Sequence, residues 1–126
     1  MNRQLERLIP LALEAAQTHL AQGRDKKSIP SEYSGYIAAF GAAVIQSGLL
    51  PAIAFFQREK ADSAQDKKKL TRAILHILSP GKPETATLLD HALAAQDPRA
   101  LKQEVLTAAT ALKLAIRTFK LDKEGN

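Results

Sequence analysis

At 126 residues and 13.7 kDa the chain is long enough for one hydrophobic core and short for two, so one domain over residues 1–126 is expected. Apolar residues at 45% and charged residues at 25% exclude general disorder, and the lack of cysteine excludes disulfides, thiolate metal sites and a cysteine nucleophile, which suits a reducing cytoplasm. The net charge of +5 is lopsided: residues 1–62 hold seven basic and six acidic groups and residues 63–126 hold eleven and seven, an excess that attracts polyanions weakly and without specificity.

In chain order, Arg3 to Gln22 is rich in Leu, Ala, Glu and Gln, with Leu5, Ile9, Ala12, Ala16 and Leu20 three or four apart, which predicts an amphipathic helix. Pro10 kinks it or opens its main part. The opening Met1-Asn2-Arg3-Gln4-Leu5-Glu6-Arg7 mixes both signs of charge and reads as no signal peptide. Gly23 to Lys27 is a polar loop, and Ser28-Ile29-Pro30-Ser31 offers a capping hydroxyl and an early-helix proline. Ser31 to Gln46 is a helix dominated by small residues, Ser47-Gly48 stops it, and Leu49-Leu50-Pro51 restarts a second helix that ends near Gln57.

The stretch from Tyr33 to Gln57 carries no Lys, Arg, His, Asp or Glu, so it is expected to be swallowed by the surrounding helices as a buried hairpin. A membrane span would need about 20 apolar residues, but Gln46, Ser47, Gly48 and Pro51 fall at the centre and basic residues flank both ends, so no membrane role is expected. A polar connector follows at 61–66, then a helix from about Asp66 to Leu78 with Leu70, Ile74, Ile77 and Leu78 inward. Ser79-Pro80-Gly81-Lys82-Pro83 is the clearest loop. A short helix is expected from Glu84 to Ala95, and Asp97-Pro98 opens a last helix that keeps Leu101, Val105, Ala108, Leu112, Ala115 and Phe119 in register to about Leu121. Residues 122–126 form a charged tail expected to fray, and no stretch alternates as a strand would. The fold class is all-α, a single-domain bundle of five or six helices.

His19, His76 and His91 fall on three separate predicted helices without ligand spacing, so no metal site is expected; His19 reads as a packed residue with a hydrogen bond, His76 and His91 as surface or boundary positions. No phosphate loop, nucleophile elbow or carboxylate pair is present, so neither a catalytic residue nor a cofactor is assigned, and the chain does not read as an enzyme. Basic residues are the remaining signal. Lys68 and Arg72 are one turn apart with Lys69 beside them, on the side away from Leu70, whereas Lys67 lies nearer the buried seam. On the last helix Lys102, Lys113, Arg117 and Lys120 fall within roughly 60° of one another. Arg24, Lys26 and Lys27 form a weaker group offset by Asp25. Without interleaved aromatics, such stripes suit phosphates rather than bases.

Tyr33, Ile45 or Val44, Gly48, Leu49, Ala54 and Phe55, closed by Arg58 or Lys60, resemble the pattern of the small α-helical subunit of the type III-B CRISPR RNA-targeting effector, the Cmr complex. Gly35, Gly41 and Ser47 stand where that family has serine, proline and asparagine, and Ile116, Arg117 and Phe119 are similar to part of its final helix. The resemblance implies a non-catalytic subunit for antiviral defence. It would stack in copies of itself beside the repeating backbone subunit and the large palm-domain subunit, with basic faces along guide RNA and target RNA. The alternative is a helical protein–protein adaptor with no nucleic-acid role.

Overall fold

The structure, a computed structural model, describes residues 3–58, 64–83 and 85–122. The outer part of the polar connector (61–63), Glu84 at the expected helix start and the tail beyond 122 lie outside these residues. Among the described residues six α-helices and one π-helical turn surround one apolar cluster, an all-α bundle as expected. No helix among them is long and apolar enough to cross a membrane.

Helix α1 (Arg3–Ala15) keeps Pro10 in its interior on an exposed position and buries Ala12 and Ala15 against α6 (Pro98–Ile116). The α-helical geometry then widens into a π-helical turn, Ala16–Leu20, closed by the Ala21 amide donating to the Ala16 carbonyl at 2.9 Å. This i→i−5 bond adds one residue to the turn and sets His19 against α4 (Ala64–Leu78) while Leu20 stays buried.

Ser28–Pro30 forms a strand, β1, where a helix cap was expected. It pairs in parallel with β2 (Lys120–Asp122), Ile29 opposite Leu121. Correspondingly, the last helix ends at Ile116 and not near Leu121. The Thr118 hydroxyl and amide both turn back onto the Ala115 carbonyl, at 2.7 and 3.0 Å, tightening the end so that the chain leaves extended. The expected seam of α6, Leu101, Val105, Ala108, Leu112 and Ala115, is buried as read, but Phe119 packs from beyond the helix.

Helix α2 (Glu32–Ser47) buries Tyr33, Ile37, Phe40 and Val44, a single stripe at helical spacing. Gly48 ends it at φ 98°, a backbone state that side-chain-bearing residues avoid, and α3 (Leu49–Gln57) restarts at once and buries Ala52, Ile53 and Phe56. Phe40 and Phe56 lock the hairpin edge to face, centroids 5.2 Å apart.

The expectation that this charge-free hairpin is swallowed holds for its inner side only. Gly35, Ala38, Ala39, Ala42, Leu50, Ala54 and Phe55 are exposed, and Ile45 is 66% exposed. The helices that pack on α2 are α3, α4 and α6, all on its inner side, so small and apolar residues on the outer side remain in solvent. Helix α4 is the central element, touching α1, α2, α3, α6 and α5 (Leu88–Leu93). Its inner residues include Leu70, Ile74 and Ile77 as expected, with Leu78 partly buried, and the buried Thr71 hydroxyl donates to the Lys68 carbonyl at 2.7 Å. Helix α5 is shorter than expected because Thr87 caps it, accepting from the Asp90 amide at 3.1 Å; Asp97 caps α6 in the same way through Ala100.

Candidate nucleic-acid interface

Along α4, Lys67 turns away from its neighbours. Its ammonium lies 5.0 Å from the Phe55 ring centre and 5.5 Å from that of Tyr36, so it caps the aromatic edge of the hairpin, where Arg58 also stacks on Phe55 at 4.2 Å. Lys68 and Arg72, one turn apart, line a groove of about 310 Å³ with Gln57, Thr71 and the segment Thr85–Leu88. The groove wall is braced by the Leu89 amide, which donates to Gln57 Oε1 at 3.0 Å. Lys69 is half-buried on the adjacent side of the helix.

The same row continues to His76, two turns and ~12 Å beyond Lys68. There Arg72 also borders a smaller cavity of about 90 Å³ with His19, His76, Ser79 and Lys82. The three histidines lie on separate helical elements, as expected, and the fold joins two of them. His19 Nε2 lies 3.3 Å from His76 Nδ1, and His76 Nε2 lies 3.1 Å from Glu14 Oε1. His19 therefore is a packed, hydrogen-bonded residue as read, while its contact with His76 and the participation of Glu14 and Lys82 were not foreseen. The available signal was Lys82, placed in the loop that directly extends the Lys68–Arg72–His76 row.

The α6 cations divide. Lys102 is half-buried beside Arg99 in a groove whose other walls are Gly48–Pro51, Leu93 and Pro98, whereas Lys113 and Arg117 are exposed ~16 Å or more further along. Because the helix stops at Ile116, Lys120 lies on β2 and does not extend the helical stripe. Pairing of the strands instead brings it to the Arg24–Lys27 turn: the Lys120 amide donates to the Lys27 carbonyl at 3.2 Å. Arg24, Lys26, Lys27 and Lys120 thus share one end of the bundle, although Lys26 folds its ammonium back to the Ala21 carbonyl at 3.5 Å. Among the described residues no carboxylate is within ion-pair distance of Lys69, Arg72, Lys102, Lys113, Arg117 or Lys120. Lys68 and Lys102 line different grooves.

Tyr33 ties the start of the hairpin to α4. Its buried hydroxyl donates to Asp66 Oδ1 at 3.5 Å, and burial first, the Asp66 charge second, push the phenol well above its ordinary value. Among the described residues no group of three or more His, Asp or Glu could hold a metal ion.

Neither the curated proteins nor the solved structures offer a match. The model of the family described as CRISPR-associated protein (Cas_Cmr5) does, over residues 11–118, from the middle of α1 to just past the end of α6. With that match spanning the helical bundle, including the Tyr33–Phe56 segment that first carried the resemblance, the chain belongs to the Cas_Cmr5 family, the small subunits of the type III-B Cmr CRISPR complex.

Proposed function

We propose that this chain is a non-catalytic scaffold of the Cmr ribonucleoprotein that associates with protein on one side and with RNA on others. The observation that carries this reading is segregation of charge. The outer face of α2 and α3 is exposed and apolar and carries no charged side chain from Tyr33 to Gln57; Lys67 and Arg58 meet it only at its Phe55 edge and Lys102 only at the groove beside Leu50, while Lys69, Arg72, Lys113, Arg117 and Lys120 lack carboxylate partners among the described residues. An exposed apolar surface of this kind is how subunits of an assembly meet. Copies of the chain stack through it in the filament, beside the repeating backbone subunit and the large palm-domain subunit. Lys68, Lys69, Arg72, Lys102, Lys113, Arg117 and Lys120, with Arg24, Lys26 and Lys27, then follow the sugar-phosphate backbone of guide and target RNA in the cytoplasm.

The test is fluorescence anisotropy of RNA binding against salt concentration, for the intact chain and for K68E/R72E/K113E/R117E. Loss of four phosphate contacts lowers the salt slope by about 3 and weakens binding at low salt. Equal affinity and equal slope would remove the RNA role. The groove between Leu50 and Leu93, about 460 Å³ and apolar but for Arg99 and Lys102, favours the adaptor as second reading. Recovery of the tagged chain with one protein and no RNA supports it over the scaffold.

A further inference from the structure

The Glu14–His76–His19 chain has no part in the scaffold role and rests on its own geometry. An ionised carboxylate only accepts, so His76 carries its proton on Nε2 towards Glu14, and when both rings are neutral its Nδ1 accepts from His19 Nε2. The rings meet at 78°, edge to face, and both residues line the cavity that Arg72, Ser79 and Lys82 help to enclose. At about 90 Å³ it exceeds what one water needs.

We propose that this cavity binds a tetrahedral oxyanion of the phosphate class, and that the two imidazoles make its occupancy rise as pH falls. Arg72, Lys82 and Ser79, which line it, offer a guanidinium, an ammonium and a hydroxyl suited to an oxyanion. When both rings are protonated, both facing nitrogens become donors that cannot bond each other at 3.3 Å, and an oxyanion accepts from both. Among the described residues that line the cavity none is acidic. Glu14, on α1, is 62% exposed and touches the outer nitrogen of His76, outside the cavity lining. At the end of α4 the Leu75 carbonyl already accepts from the Ser79 amide at 2.8 Å, and no charged residue of α6 lines the space.

Two other uses of a histidine pair fit less well. A divalent cation would face Arg72 and Lys82, and no third ligand completes the set among the described residues. An acid and a base that cut a phosphodiester must reach opposite sides of the phosphorus, whereas these rings touch each other.

The experiment follows the histidine ring signals of the full-length chain by proton–nitrogen correlation NMR during titration with sodium sulfate, at constant ionic strength. Sulfate keeps its charge across the histidine range, so any pH effect belongs to the protein. Saturable shifts of the His19 and His76 rings are expected, with a dissociation constant more than about tenfold smaller near pH 6 than near pH 8, since both rings take up a proton. Lys82→Gln, on an exposed loop and safe for folding, weakens binding several-fold at both pH values and preserves their ratio. His19→Gln abolishes the ratio. Absence of a saturable shift, equal constants at both pH values, unchanged affinity in Lys82→Gln, or a response to zinc chloride alone overturns the proposal. Displacement of sulfate by inorganic phosphate, by a 5′-phosphorylated dinucleotide, or by the dinucleotide without that phosphate supports it and assigns the source to free anion, terminal phosphate or backbone. Lys82 and His19 lie outside the charge-reversed set, so failure here leaves the RNA test standing, and the reverse.

Discussion

Val44 and Ile45 are neighbours in α2, both β-branched, both inside the charge-free stretch, and the structure gives them opposite surroundings. Val44 is fully buried and Ile45 is 66% exposed. At about 0.8 kcal/mol per carbon removed from water, Val44→Ala loses ~1.6 kcal/mol before its cavity is counted and ~2.5 after. Alanine's helix propensity returns a few tenths, leaving about 2 kcal/mol. Ile45→Ala removes one more carbon, but with only a third of the residue shielded the loss is ~0.8 kcal/mol, and the propensity gain reduces it to about 0.4 kcal/mol. In urea, with a slope of about 2 kcal/mol/M, the first midpoint falls by roughly 1 M and the second by about 0.2 M. The slope itself should not change. The assay is equilibrium unfolding followed by far-ultraviolet circular dichroism at low protein concentration. Equal losses for the two variants would refute the exposed face and restore a fully enclosed hairpin. If the Ile45→Ala loss appears only at high protein concentration, copies of the chain cover the face in solution, as the stacking role requires.

Four further outcomes follow from the same structure. Gly48→Ala should lower stability by about 1–3 kcal/mol through backbone strain at φ 98°, and not through crowding, since an added Cβ meets Pro51 Cδ at an ordinary 3.7 Å; a thermal melt reads it. Raising pH should leave the Tyr33 contribution unchanged below about 10, where the phenol is neutral in both folded and unfolded chains. Above it the unfolded chain ionises first and stability falls with pH, because the folded phenol is held higher. Tyr33→Phe removes that part of the alkaline slope in urea midpoints measured across the range, and an unchanged slope would refute the assignment. Charge reversal at Lys68, Arg72, Lys113 and Arg117 should flatten the salt dependence of RNA binding, and sulfate should bind the histidine cavity more tightly in acid, as measured by anisotropy and by ring resonances.

The candidate interface was legible residue by residue and not as a surface. Lys67 was separable from Lys68 because helical phase alone puts it near Leu70 and Ile74, and its aromatic contacts agree with that phase. The α6 group misled for the same reason: a stripe drawn at 100° per residue assumes that the helix continues, and Arg117 and Lys120 fall beyond Ile116. Arg24, Lys26 and Lys27 looked isolated because their neighbour, Lys120, is more than ninety positions away.

What the chain alone determined is local and periodic. Gly48 breaks one helix and permits the next, Asp97 and Pro98 open α6, and the spacing from Leu101 to Ala115 marks its inner side, since backbone conformation and helical phase depend on residues a few positions apart. Tertiary packing decided which apolar side of α2 meets the core. Apolar and small residues occur all round that helix, and although Val44 shares the phase of Tyr33, Ile37 and Phe40, only the docking of α3, α4 and α6 on that side leaves Ile45 in solvent. It also decided that β1 finds β2 and that His19, at the π-helical turn, meets His76 across 57 positions. Those contacts arise from the docking of whole helices, whose approach is set by the summed burial of all their inner side chains and is written at no single position.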